Sequence, residues 1–173
     1  YSTIILKSQN GAEILYRERN ADTMNLVGIV IRLAEEHEAL GIYVDSIGVG
    51  KGVYDRLREL DKWEKKVFAI NNGEKPENEE DYINRRAQSF WRLGEAIKSG
   101  FKLKRHQSWE ELLVIKWKVQ SDRKIKIKSK DEMMKEGIMS PDCADALALG
   151  FATNRVNQGV KVITPQWTGY NRK

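Results

Sequence analysis

Two carboxylates three residues apart stand in the stretch Ser140-Pro141-Asp142-Cys143-Ala144-Asp145-Ala146-Leu147. Ser140 is a good helix cap, Pro141 suits a first helical position, and Asp142 suits the positive end of a helix. Asp142 therefore has a full structural explanation. Asp145 has none of that kind. It lies one turn further on among alanines and a leucine, where an unpaired buried carboxylate is costly. The i, i+3 spacing puts both acids on one face. If they converge they repel, and a divalent cation would remove the repulsion. The plainer reading is two acids facing water on an exposed helix, and residue types alone leave both open.

Asp45 is the second candidate, at the carboxyl end of the apolar run Gly41-Ile42-Tyr43-Val44, where open α/β sheets bind ligands. The glycines of Gly48-Val49-Gly50-Lys51-Gly52 allow a sharp turn and close approach. A phosphate-binding loop of the G-x-x-x-x-G-K-[ST] type fails at both ends, because Asp45 takes the first glycine's place and Gly52 follows Lys51. A strand-to-helix turn with a capping Asp remains the plain alternative. The third candidate is Lys124-Ile125-Lys126-Ile127-Lys128-Ser129-Lys130. Strand alternation puts Lys124, Lys126 and Lys128 on one face, with Lys130 in line if the strand continues, a row able to track phosphates. Lysines guarding an edge strand explain it equally well.

The elements that position these residues read as follows. Ser8-Gln9-Asn10-Gly11 marks a hairpin between two opening strands. Asp22 or Thr23 caps a helix with Leu26, Val27, Val30, Ile31 and Ala34 inward. A strand over 41–45 precedes a helix expected after Gly52, and Val67–Ile70 is a further strand. The pattern from Asp81 to Lys98 predicts a long amphipathic helix with Ile83, Ala87, Phe90, Trp91, Gly94 and Ile97 inward. Ser108 with Glu111, and Ser129 with Glu132, have capping-box spacing. The last helix is expected from Ser140 to about Arg155, followed by a weakly patterned tail, 157–173. The order implies a mixed α/β sheet with helices on both faces.

At 173 residues, 40% hydrophobic and 32% charged, the chain suits one globular domain. The net charge of +5 suits a phosphate-rich partner without requiring one. One cysteine, Cys143, excludes an internal disulfide, suits a reducing compartment and reads as a small core residue. His37 and His106 have no zinc-ligand spacing. No run reaches the ~18 apolar residues that span a bilayer. Trp91 falls on an apolar helix face, whereas Trp63 and Trp167 lie in polar surroundings that suit exposure. Tyr1 to Leu6 reads as a strand without an initiator Met, so the sequence is expected to be a fragment of a longer polypeptide.

Taken in order, Asp45 with Gly48-Val49-Gly50, Asn84-Arg85-Arg86-Ala87 with Trp91, Lys128-Ser129-Lys130-Asp131, and Ser140-Pro141-Asp142 with Asp145-Ala146-Leu147 resemble the C-terminal nuclease domain of the terminase large subunit of tailed bacteriophages. The resemblance runs from Tyr1 to about Phe151. It implies an RNase H-like domain over 1–156 that cuts concatemeric double-stranded DNA in the host cytoplasm during packaging. It implies Asp45 and Asp145 as catalytic acids, with Asp142 as a further metal-holding position. The expected cofactors are two Mg²⁺ or Mn²⁺ ions, roughly 3.5–4 Å apart, in phosphodiester hydrolysis. Lys124, Lys126, Lys128 and Lys130 would hold the DNA backbone. The implied partners are a viral portal, the small terminase subunit and an upstream ATPase domain. A third family acid belongs to a first strand that the resemblance places before Tyr1. Rival readings are a junction-resolvase type of nuclease on the same fold, a non-catalytic DNA-binding or motor-docking module, and a nucleotide-binding protein.

Overall fold

The computed structural model describes residues 1–19, 22–47, 49–153 and 161–167, with backbone alone at Val49 and Trp167. Strands β1 (Ser2–Lys7) and β2 (Gly11–Glu18) form the expected hairpin. Helix α1 (Thr23–Glu36) starts at Asp22, whose carboxylate accepts from the Met24 and Asn25 amides. Such a cap contributes about 1 kcal/mol. Strand β3 is Gly41–Asp45, helix α2 is Val49–Arg58, and strand β4 is Val67–Ile70. Helix α2 therefore begins before Gly52, so Gly50 and Gly52 lie inside its first turns, and Gly48 lies outside the described residues.

Helix α3 spans Arg85–Lys98, shorter than its pattern predicts, because the Asn84 side chain caps the Ala87 amide. Ahead of it, Tyr82 bridges to Ile125 instead of continuing the helix. Ile97, expected inward, is exposed. The short β5 (Lys102–Leu103) precedes a 3-10 helix at Gln107–Val114, and β6 (Trp117–Val119) pairs with β7 (Ile125–Ile127) as a separate ribbon. Helix α4 (Lys130–Lys135) has the Ser129–Glu132 capping box. Hydrogen bonds from the Ser129 backbone amide and side chain favour the charged carboxylate, and Glu132 is lowered to about 2. Ser108 and Glu111 form no such box, because His106 caps the 3-10 helix. Helix α5 is Asp142–Leu149, ending well before Arg155.

The largest departure is β8, Val162–Trp167, within the segment expected to be a weakly patterned tail. It is a central strand of the sheet, whose order is β4-β3-β8-β1-β2-β5. β8 runs antiparallel to β1 along its whole length and parallel to β3 only at Val162 and Ile163. β8 thus lies between β1 and β3. Strand alternation then sorts the core. Ile4, Ile42, Val44 and Ile163 pack on Leu26, Val30, Val53 and Leu57 of α1 and α2. Ile5 and Ala12 face the other way, onto Phe90, Leu93, Ala144 and Leu147 of α3 and α5. The architecture is a mixed α/β sheet with helices on both faces. Among the described residues no helix is long and apolar enough to cross a membrane.

Trp63 is buried, against its polar sequence surroundings. The neighbouring cations cover it, with Lys62 and Lys66 ammonium groups 5.8 and 5.7 Å from the ring centroid. Cys143 is fully buried as expected, and burial pushes its thiol up.

Candidate active site at the split between two parallel strands

β3 and β8 stop pairing after Ile163, and the side chains at their carboxyl ends meet across the gap. Asp45 ends β3. Its Oδ1 accepts from the Ile47 amide at 3.2 Å, and its Oδ2 accepts from the Gln166 side-chain amide at 3.3 Å. The first bond is an Asx turn that starts the reversal into α2. Gly50 completes it: a Cβ there would lie 1.7 Å from the Asp45 carbonyl oxygen. Gly50→Ala is therefore expected to cost about 3 kcal/mol, the upper part of the overpacking range. Gly52→Ala meets nothing within 4 Å and is expected to be neutral or stabilising, since alanine is the better helix former. Urea denaturation of the two variants measures the contrast; equal effects would remove the close approach at Gly50.

Asp142 and Asp145 are both buried, at 2% and 1% exposure, so the reading of an exposed acidic helix face does not hold. Asp142 accepts from the Ser140 hydroxyl at 2.8 Å and lies 3.3 Å from the Tyr1 amino group. Ser140 is thus not the expected cap. The amides of Cys143 and Ala144 instead donate to Glu111 of the 3-10 helix, which Arg17 also holds at 2.7 Å. Asp145 is neutralised by two cations. Its Oδ1 accepts from Arg86 at 3.0 and 3.3 Å, and Lys130 Nζ stands 2.9 Å from its Oδ2. Arg86 is fixed in turn by the Lys128 carbonyl at 2.8 Å and by stacking over Phe90.

Asp45 and Asp145 are electrostatically coupled. Burial raises the Asp45 carboxyl above its ordinary range; the Ile47 and Gln166 bonds and the Lys130 charge oppose that rise, and the Asp145 charge adds to it. Burial alone would lower Lys130, but Asp145, with help from Asp142, holds its ammonium above the usual value. Asp45, remote in sequence from the other two, thus feels Asp145 directly, and Lys130 acts on Asp45 while Asp142 and Asp145 act on Lys130.

The lysine row divides. Lys130 is not in line with the strand, which ends at Ile127; it opens α4 and points into the acidic cluster. Lys126 and Lys128 pair with Glu132 and Glu136 of the α4 segment. Lys124 is half-buried at the start of the ribbon strand. Sequence reasoning did not assign Arg86, Glu111 or Gln166 to this region. Arg86 belonged to a quoted motif, but nothing local marked its partner.

Hard oxygen donors suit Mg²⁺ or Mn²⁺. Two observations fit one such ion beside Asp45. Its hydrogen-bond donors are both neutral, so the cost of its burial is not met by direct ion pairing. The buried Oε1 of Gln166, whose Nε2 donates to Asp45, has no hydrogen-bond partner among the described residues. Asp145 is already charge-balanced, and no group of three His, Cys, Asp or Glu among the described residues is arranged to hold a metal.

No protein-family model and no curated protein matches the chain. Among solved structures it is similar to a lysine-to-alanine variant of the nuclease domain of the large terminase subunit of bacterial virus Sf6, determined with manganese. That likeness covers 81% of this chain and 76% of the other at 22% identity and a TM-score of 0.61, so the chain has the RNase H-like α/β fold of that domain.

Proposed function

We propose that this chain is a divalent-metal-dependent endonuclease domain that cuts double-stranded DNA, of the kind that works in viral genome packaging. The reading is supported by Asp45 at the carboxyl end of a central strand of the sheet, coupled electrostatically to the buried Asp145 and to Lys130. Asp45 would hold the ion, with the Gln166 amide oxygen as a neutral second donor. The bound ion would supply Lewis-acid activation of water and of the scissile phosphate. Lys130 holds the opposing positive charge. Drawn from Asp145 toward a DNA phosphate, it would leave that carboxylate able to serve a second ion, as the two-ion expectation requires. Asp142 keeps the first turn of α5 in place beside it.

Lys124, Lys126 and Lys128 remain the proposed backbone-holding row. The pairs of Lys126 and Lys128 with glutamates are partly exposed, and such pairs contribute about 0–1 kcal/mol, so phosphates can displace them. Packaging partners, namely a portal, a small terminase subunit and an ATPase domain, belong to this same proposal, as does action in the host cytoplasm.

The test is cleavage of supercoiled plasmid by the folded chain in Mn²⁺, in Mg²⁺ and in EDTA. The expected result is linear and nicked product with Mn²⁺ and none with EDTA. A non-catalytic DNA-docking reading is favoured by the ion pairs that already balance Asp145. Salt-sensitive duplex binding with no cutting in any metal would select that reading and sink the nuclease.

A further inference from the structure

At the other end of β1, five residues along from Ser2 and so about 17 Å away by strand rise, lies a cleft of about 580 Å³ that the acidic cluster does not use. Lys7 forms part of its wall. Strand alternation turns Lys7 to the same face as Ile5, under α5, and leaves it 3% exposed. Among the described residues its ammonium group makes no hydrogen bond or ion pair. Its ammonium contacts ring faces instead, 4.6 Å from the Phe151 centroid and 5.9 Å from that of Phe101. Gly150 admits its stem, since a Cβ there would lie 2.5 Å from Lys7 Cδ. Burial lowers the Lys7 pKa, as it does for an ammonium that lacks an anion.

A buried cation held in a cradle, with aromatic walls around it, is a receptor for an anion attached to a flat apolar body. Tyr82 and Trp91 continue the aromatic lining, and Gln9, Arg92 and Glu95 supply polar groups, Arg92 paired with Glu77 at 2.7 Å and Glu95 with Lys98 at 2.8 Å. The cleft falls within the size range of small-molecule sites and is much larger than a lone oxyanion needs. We infer that this cleft binds a nucleotide unit, its phosphate on Lys7 and its base against the Tyr82–Trp91 wall, supplied either as a free mononucleotide or as an unpaired nucleotide at a DNA end. The site is remote from Asp45 and does not depend on the nuclease reading.

Isothermal titration of the full chain with dAMP, adenosine and inorganic phosphate tests it. The DNA arms are a hairpin duplex with one unpaired 5′ nucleotide and its blunt counterpart. The expected result is saturable binding of dAMP or of the unpaired end, with adenosine and phosphate each at least tenfold weaker than dAMP where dAMP binds. Lys7→Met should weaken binding at least tenfold, with circular dichroism checking the fold. Ala96→Trp, which fills the cleft from the α3 surface and leaves Lys7 intact, should do the same and serves if Lys7→Met does not fold. Binding of dAMP without preference between the hairpins assigns a free nucleotide; preference for the unpaired end assigns DNA. No binding by the folded wild type, adenosine binding as tightly as dAMP, or folded variants that bind like wild type would overturn the inference.

Discussion

Asp145→Ala is expected to destabilise the fold by about 3–5 kcal/mol, the cost of breaking a buried ion pair from one side. The carboxylate is 1% exposed and receives both Arg86 and Lys130. Without it two cations face each other, Arg86 largely buried, and Lys130 loses the attraction that outweighs its burial. Asp145→Asn keeps an oxygen for Arg86 and should lose less. The double variant Asp145→Ala with Lys130→Met removes one stranded charge and should recover part of the loss. Urea midpoints with unchanged slopes provide the measurement. A loss under about 1 kcal/mol for Asp145→Ala would mean that the triad is no more than a surface-type contact.

That triad also marks the limit of what the sequence discloses. Local signals translated well: Asn10-Gly11 into a hairpin, Gly41–Asp45 into a strand, Asp22 into a cap, and Ser129 with Glu132 into a capping box. Each depends on neighbours within a few residues. The sequence also showed that Asp145 needed compensation, but not from what. The cations come from residues 59 and 15 positions earlier in the chain, and no periodicity connects them. Residue types leave open a bridging cation or exposure to water for Asp142 and Asp145; in the fold Arg86 and Lys130 balance the charge of Asp145.

β8 was hidden for a different reason. Pro165 argues against a central strand, because it removes a ladder donor. The structure accommodates it because pairing with β3 has already ended at Ile163. The same divergence opens the gap in which Gln166 reaches Asp45. The feature that concealed the strand is therefore part of what makes the site, and with β8 unread, Gln166 could not be placed.

Asp45→Asn should act in the opposite sense to Asp145→Ala, stabilising the metal-free protein while removing its metal response. Both acids are in one cluster, but Asp45 is met by neutral donors and its carboxyl is raised by burial. An acid with a raised folded pKa holds its proton more tightly in the native state than in the unfolded chain. Below the unfolded value, about 3.9, both states are protonated and no penalty exists. As pH climbs through the folded value the native state must ionise a buried group, and stability is lost. The melting-temperature advantage of Asp45→Asn in EDTA should therefore grow as pH rises above about 4 and level off once the folded carboxyl has ionised. Asparagine keeps an oxygen for the Ile47 and Gln166 donors, so the local turn should survive. With Mn²⁺ the order reverses. An ion at ten times its dissociation constant would stabilise wild type by about 1.4 kcal/mol and should leave the variant nearly unchanged. Plasmid cleavage should fall by about 100-fold or more, since even an outer-shell partner of a metal ligand can cost that much. An Asn variant that melts lower than wild type at pH 7 in EDTA would show that Asp45 is compensated in the fold. Equal Mn²⁺ stabilisation of both proteins would put the ion elsewhere.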